Sequence, residues 1–228
     1  MTLAELREAG YDLDAESYAR LCRYVGLLLQ ANQKVNLISR ASTDQIWVAH
    51  ICDSLALLPL IRERRPKSVL DLGAGGGLPG VPIACVHPEL EVVLIDATRK
   101  KVAAVEAIVS GIGQVQVRCI WGRAETLARD AALHERFDAV TARAVGTVAE
   151  LVSYAADFLR PGGQGWFFKT APAAPVEVAA AAKQAHKAHL RHVENRAYRL
   201  PTTGAARAIV VYEKSSAPDG ASGRAAIT

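Results

Sequence analysis

Asp71, Gly73, Gly75 and Gly77 follow one another at every second position, Asp71 within the short apolar run SVLDL (68–72) and the glycines directly after it. Glycines so spaced let a chain turn tightly at a strand end and let a ligand approach the backbone without a side chain in between. The overlapping frame Gly75-x-Gly77-x-x-Gly80 formally matches a dinucleotide fingerprint, but it starts late after the strand and encloses Pro79. In the first frame a carboxylate precedes the loop. It would repel a pyrophosphate and welcome a cation. S-adenosylmethionine carries an ammonium and a sulfonium, so it is favoured over NAD as the nucleoside-type cofactor. Asp96 ends the next apolar run, EVVLIDA (91–97), 23 residues after Gly73. An acid there accepts hydrogen bonds from ribose hydroxyls with either cofactor. Ala124 and Glu125 follow the third such run, where an adenine would rest.

Arg143 and Lys169 end the fourth and fifth apolar runs, on the same ligand-facing edge. Each has a plain reading, an ion pair or a solvated cation, beside contact with a phosphate, base or cofactor. His50 and Asp53 stand three apart on an expected helix and share a face, as an ion pair or as part of a site. Asn36 suits a turn cap. Trp47, Trp121 and Trp166 are expected in the core or at its rim rather than as stacking platforms.

These residues need elements to hold them. Asp14 caps a helix reaching about Asn32, with Tyr18, Leu21, Cys22, Val25, Leu28 and Leu29 at helical spacing. Thr43 or Asp44 opens a second helix, ending near Pro59, and RERRPK (62–67) reads as a charged turn. Strands are expected at 68–72, 91–97, 115–120, 137–142 and 165–169, with helices after the second and fourth, the latter stopping at PGG (161–163). An alanine-rich helix at about 175–190 precedes strands at 192–200 and 207–214 joined by a short turn. Near-continuous apolar strands alternating with helices indicate an α/β, Rossmann-like, mostly parallel seven-stranded sheet. The final hairpin adds an antiparallel edge strand. The chain divides into a helical N-terminal extension (1–65), a cofactor-binding domain (66–214) and a small polar tail (215–228) expected to be disordered.

The chain has 228 residues, half of them hydrophobic and 22% charged, which excludes a disordered or coiled-coil protein. Seven charges in the first twenty residues leave no room for a signal-peptide core, and no uncharged stretch is long enough for a bilayer. A cytoplasmic protein is expected. The cysteines, Cys22, Cys52, Cys85 and Cys119, lie 30, 33 and 34 residues apart, so buried reduced thiols are expected and no metal site. Residues 1–175 hold 19 basic and 19 acidic side chains, so the net charge of +4 resides in residues 176–228. There Lys183, Lys187 and Arg191 would stack on one helix face, either as a solvated face or for an anionic partner such as RNA.

The strings NQKVNLIS (32–39), HICDSL (50–55), VLDLGAGGGLPGVPIA (69–84), TARAV (141–145) and FFK (167–169) together resemble the glucose-inhibited division protein B family, the RsmG-type 16S ribosomal RNA guanine-N7 methyltransferases. The resemblance covers roughly residues 20–214. It implies S-adenosylmethionine held by Gly73, Leu78, Ala124, Glu125 and Arg143, supported by Asp71 and Asp96. It implies a guanine of 16S ribosomal RNA near the decoding region as substrate, met by Asn36, His50, Asp53, Arg123, Arg143 and Lys169. Ala49, Ala74 and Thr170 depart from the family's usual residues. Guanine N7 is an unprotonated lone pair, so its methylation needs positioning and electrostatics but no general base. A ribose or small-molecule methyltransferase, an NAD-dependent oxidoreductase and a non-catalytic RNA binder are the rival readings.

Overall fold

The computed structural model describes residues 1–113 and 115–216. Its strands are β1 (Ser68–Leu72), β2 (Glu91–Asp96), β3 (Val117–Trp121), β4 (Phe137–Arg143), β5 (Leu159–Thr170), β6 (Leu190–Arg199) and β7 (Ala206–Lys214). They form one seven-stranded sheet in the order β3-β2-β1-β4-β5-β7-β6. Strands β1 to β5 pair in parallel. The C-terminal hairpin completes the far edge, with β7 running antiparallel between β5 and β6. Strand order reverses between β1 and β4, which opens a crevice at their carboxyl ends. Asp71, Asp96, Arg143 and Lys169 all sit at that end of the sheet.

The helices are α1 (Leu3–Glu8), α2 (Ala15–Asn32), α3 (Asp53–Leu55), α4 (Leu58–Arg64), α5 (Gly80–Val86), α6 (Arg99–Ile112), α7 (Ala124–Leu127), α8 (Val148–Phe158) and α9 (Ala173–Lys187). Successive strand side chains point to opposite faces, and each face has its own core. Val69, Val92 and Leu94 pack with α2, α5 and α6, whereas Leu70, Val93 and Val140 pack with α8 and α9. Leu21, Tyr24 and Leu28 of α2 lie in the first cluster beside Val81 and Val105, so the N-terminal helices build the same core as the sheet. None of the described helices is long and apolar enough to cross a membrane.

Several local expectations are corrected. Asp14 caps α2 through Ser17 N–H as expected, but the buried stripe runs Ser17, Arg20, Leu21, Tyr24, Val25, Leu28. This rotation leaves Cys22 exposed, so only Cys52 and Cys85 are buried and Cys119 is half-buried. Arg20 tolerates burial because it donates to the Cys85 carbonyl and Ser17 Oγ. The second expected helix is a π-helical turn, Trp47–Cys52, running into α3. Pro59 then begins α4 instead of ending a helix, since a proline in the first turn sacrifices no hydrogen bond. PGG (161–163) lies within β5, and α8 has already ended at Phe158. Helix α9 ends at Lys187, which puts Arg191 on β6 and dissolves the expected three-residue stripe. Of the tail, residues 217–228 lie outside the described residues.

Candidate functional site

The glycine loop follows the frame led by Asp71. Gly73, Gly75 and Gly77 have φ of +69°, +54° and +90°, a region L side chains rarely enter. A Cβ on Gly73 would meet Val145 Cγ2 at 2.6 Å, and one on Gly77 would meet Val81 Cγ2 at 2.6 Å. A Cβ on Gly75 would come no nearer to the protein than 3.7 Å, so this glycine keeps an open cradle. Gly75 N–H donates to Asp96 Oδ2 at 3.0 Å and Thr98 N–H to Oδ1 at 2.7 Å. Both carboxylate oxygens of Asp96 are thereby aimed by backbone. Leu78 is buried behind the loop.

The loop is also held from above. Tyr24 of α2, fully buried, donates its hydroxyl to the Gly76 carbonyl at 2.8 Å. Asn32 Oδ1 accepts from Leu37 and Ile38 N–H, which folds the 33–39 segment over Gly75 and Gly76. Asn36, expected to meet a substrate, is exposed and bonds to no described residue.

Asp71 lies beneath the loop, wholly buried. Its Oδ2 accepts from Gly80 N–H at 2.8 Å, and its Oδ1 has no partner among the described residues. Burial pushes its pKa up to about 7, against the pull of the Gly80 bond and the Arg143 charge. Beyond β3, Arg123 caps α7 with its backbone and leaves its side chain exposed. Ala124 is half-buried and Glu125 exposed in the first turn of that helix.

Three of the expected residues meet on the other side of the loop. Arg143 Nη1 donates to Asp53 Oδ2 at 3.0 Å and to the Ala49 carbonyl at 3.1 Å, and Nη2 to His50 Nδ1 at 3.0 Å. Arginine only donates, so His50 Nδ1 is the acceptor and Nε2 carries the hydrogen. That hydrogen goes to Ser42 Oγ at 2.8 Å, and Ser42 in turn donates to the Ser39 carbonyl. Burial first, and Arg143 second, lower the His50 pKa to about 4, so the ring stays neutral. Tyr198 donates to the remaining oxygen of Asp53 at 2.6 Å. The π turn is what lets Ala49, His50 and Asp53 converge on one guanidinium.

This cluster lines a cavity of about 450 Å³, which also takes in Phe168, Lys169, Glu177 and Arg207. Lys169 is held by Glu177 at 2.8 Å and by the Gly146 carbonyl at 2.7 Å. Arg207 Nε is buried with no partner among the described residues. Sequence reasoning missed Ser42, Tyr198, Glu177, Phe168 and Arg207. A tyrosine or arginine on an ordinary strand carries no local signal, and only pairing β6 and β7 beside β5 brings these two to the site.

The residues present fit S-adenosylmethionine. The orphaned Asp71 Oδ1 is an unused acceptor beneath the loop, Gly75 leaves its cradle clear, and Asp96 presents a fixed carboxylate. Strand order, glycine loop and paired acids together define the Rossmann-like methyltransferase fold, with a loop whose residues suit S-adenosylmethionine. In agreement, the O-methyltransferase TomG of Streptomyces achromogenes, solved in complex with SAM, superimposes with a TM-score of 0.60 at 17% identity over 85% of this chain and 90% of its own.

Residues 17–200 match the family model GidB, rRNA small subunit methyltransferase G, and the chain belongs to that family. The ribosomal RNA small subunit methyltransferase G of Sorangium cellulosum is 42% identical over 159 residues, 69% of this chain and 66% of that protein, just under two thirds of its length. That of Deinococcus deserti is 36% identical over 214 residues, 94% of this chain and 87% of its own.

Proposed function

We propose that this protein transfers a methyl group to N7 of a guanine in 16S ribosomal RNA near the decoding region, within the small subunit or an assembly intermediate, in the cytoplasm. One observation carries the choice of acceptor: every potential base lining the cavity is already engaged. His50 has both nitrogens bonded. Asp53 is taken by Arg143 and Tyr198 through both oxygens, and Glu177 is ion-paired to Lys169 and bonded by Val148 N–H, both through Oε2. An acceptor that must lose a proton, such as a ribose hydroxyl, would have to give it to a group already ion-paired or hydrogen-bonded. A ring nitrogen lone pair needs no such group.

The cofactor supplies an electrophilic methyl on a sulfonium, and the protein supplies position. Asp71, Gly73, Gly75, Gly77, Leu78, Asp96, Ala124 and Glu125 hold the donor. Arg143 spends three of its five N–H groups on the cluster, leaving two for a ligand. Arg143 and Lys169 orient the target, and Arg207 Nε offers a donor that lacks an acceptor. Asn36, His50, Asp53 and Arg123 form the rest of the RNA side. Residues 1–65 act as a helical extension of the methyltransferase domain (66–214) that roofs the loop.

The test is to incubate the protein and labelled S-adenosylmethionine with small subunits from a strain lacking the enzyme, then cleave the RNA chemically at 7-methylguanine. Cleavage at one guanine is expected. Label on ribose or on an exocyclic amine would overturn the acceptor assignment.

A further inference from the structure

We propose that Trp121 is a stacking platform for an unpaired nucleotide that flanks the target base. This rests on the reading of RNA as substrate. Two of the three tryptophans behave as core or rim residues: Trp166 is fully buried, and Trp47 stacks on Tyr18. Trp121 is instead 55% exposed, although it is the largest type of apolar side chain. Its orientation is fixed, because its indole N–H donates to the Ala97 carbonyl at 3.1 Å. Arg99 places its guanidinium over the ring, 5.4 Å from the centroid. A tethered, exposed indole loses little entropy on binding, and every nucleobase offers a π face to it.

Place and charge complete the case. Trp121 ends edge strand β3 in register with Asp96, on the ligand-facing edge of the sheet. Arg143 ends β4, three strands away, about 14 Å at ~4.8 Å per strand. That is the span of a few nucleotides from the target cavity. Arg99 lies over the indole; Lys100 is its neighbour in the chain, and Arg123 follows Trp121 by two residues. All three are exposed, and none pairs with an acid among the described residues. Asp96, in register with Trp121, is engaged by two backbone N–H groups. An exposed indole with a guanidinium over its ring and two further unpaired cations nearby in the chain matches a base and its phosphates.

The experiment compares wild type, Trp121→Ala and Trp121→Phe. The KM for small-subunit RNA should rise about tenfold in Trp121→Ala, as for loss of one stacked base, and stay within about twofold in Trp121→Phe, which keeps a ring but loses the N–H bond. Affinity for S-adenosylhomocysteine should be unchanged in both. A 12-nucleotide oligoadenylate should quench the fluorescence of wild type and not that of Trp121→Phe. Equal impairment of the two variants would reduce the indole to a structural hydrogen bond, and a matching fall in S-adenosylhomocysteine affinity would assign it to the cofactor. Either result, or absence of quenching, overturns the proposal. The titration needs no methyl transfer, so it decides this point even if the wild type fails to modify small-subunit RNA, a failure that would strike the proposed function instead.

Discussion

Replacing Arg143 with methionine should destabilise the protein before it says anything about catalysis. The guanidinium and the Asp53 carboxylate are 12% and 9% exposed and 3.0 Å apart. Removing one partner of such a buried pair strands the other charge and costs about 3–5 kcal/mol. Tyr198 still serves one oxygen of Asp53, which places the cost near the low end, about 3 kcal/mol. For a chain of this size that lowers Tm by about 6–12 °C. The double variant Arg143→Met/Asp53→Asn removes both charges and should lose less than the sum of the single variants. Arg143→Lys keeps the charge but not the planar fork. Keeping a charge beside Asp53, it should lose clearly less stability than Arg143→Met while methyl transfer collapses, since three acceptors and a target cannot share one ammonium. Thermal and urea unfolding of the four proteins, beside single-turnover methylation, provide the assay. Additive losses, or a fully active lysine variant, would refute the claim that the cluster holds the guanidinium for the substrate.

Two further outcomes are expected. The folded pKa of Asp71, about 7, lies above its unfolded value of about 3.9, so its contribution to stability is complete below the lower value and is lost as pH rises through 7. Asp71→Asn should abolish that decline, on the order of 4 kcal/mol by pH 8, while weakening S-adenosylhomocysteine binding; parallel stability–pH curves for variant and wild type would refute this. Gly73→Ala must hold φ +69° and meets Val145 at 2.6 Å, so it should cost about 2 kcal/mol and lower cofactor affinity. Val145→Ala should restore part of the loss by relieving the contact but not the backbone strain, as calorimetry and thermal melts of the double variant will show.

The amino-acid sequence by itself determined the existence and chain order of the strands, the glycine loop and its leading acid. These are local signals: apolar runs long enough for buried strands, and glycines spaced for a turn that only glycine makes cheaply. It also marked His50, Asp53, Arg143 and Lys169 by type and by their place at element ends. It did not determine who pairs with whom. Asp71 was legible as a carboxylate leading a glycine loop, yet only the fold buries it under Gly80 and leaves one oxygen orphaned among the described residues. Three of the site residues, Arg143, Tyr198 and Arg207, come from strands whose neighbours are set by sheet order, and a fourth, His50, from a π turn that helical spacing does not announce. Hydrogen-bond partners more than a hundred residues apart, such as Tyr198 and Asp53, are chosen by packing of whole elements, because no short-range term in the chain's energy distinguishes one such pairing from another.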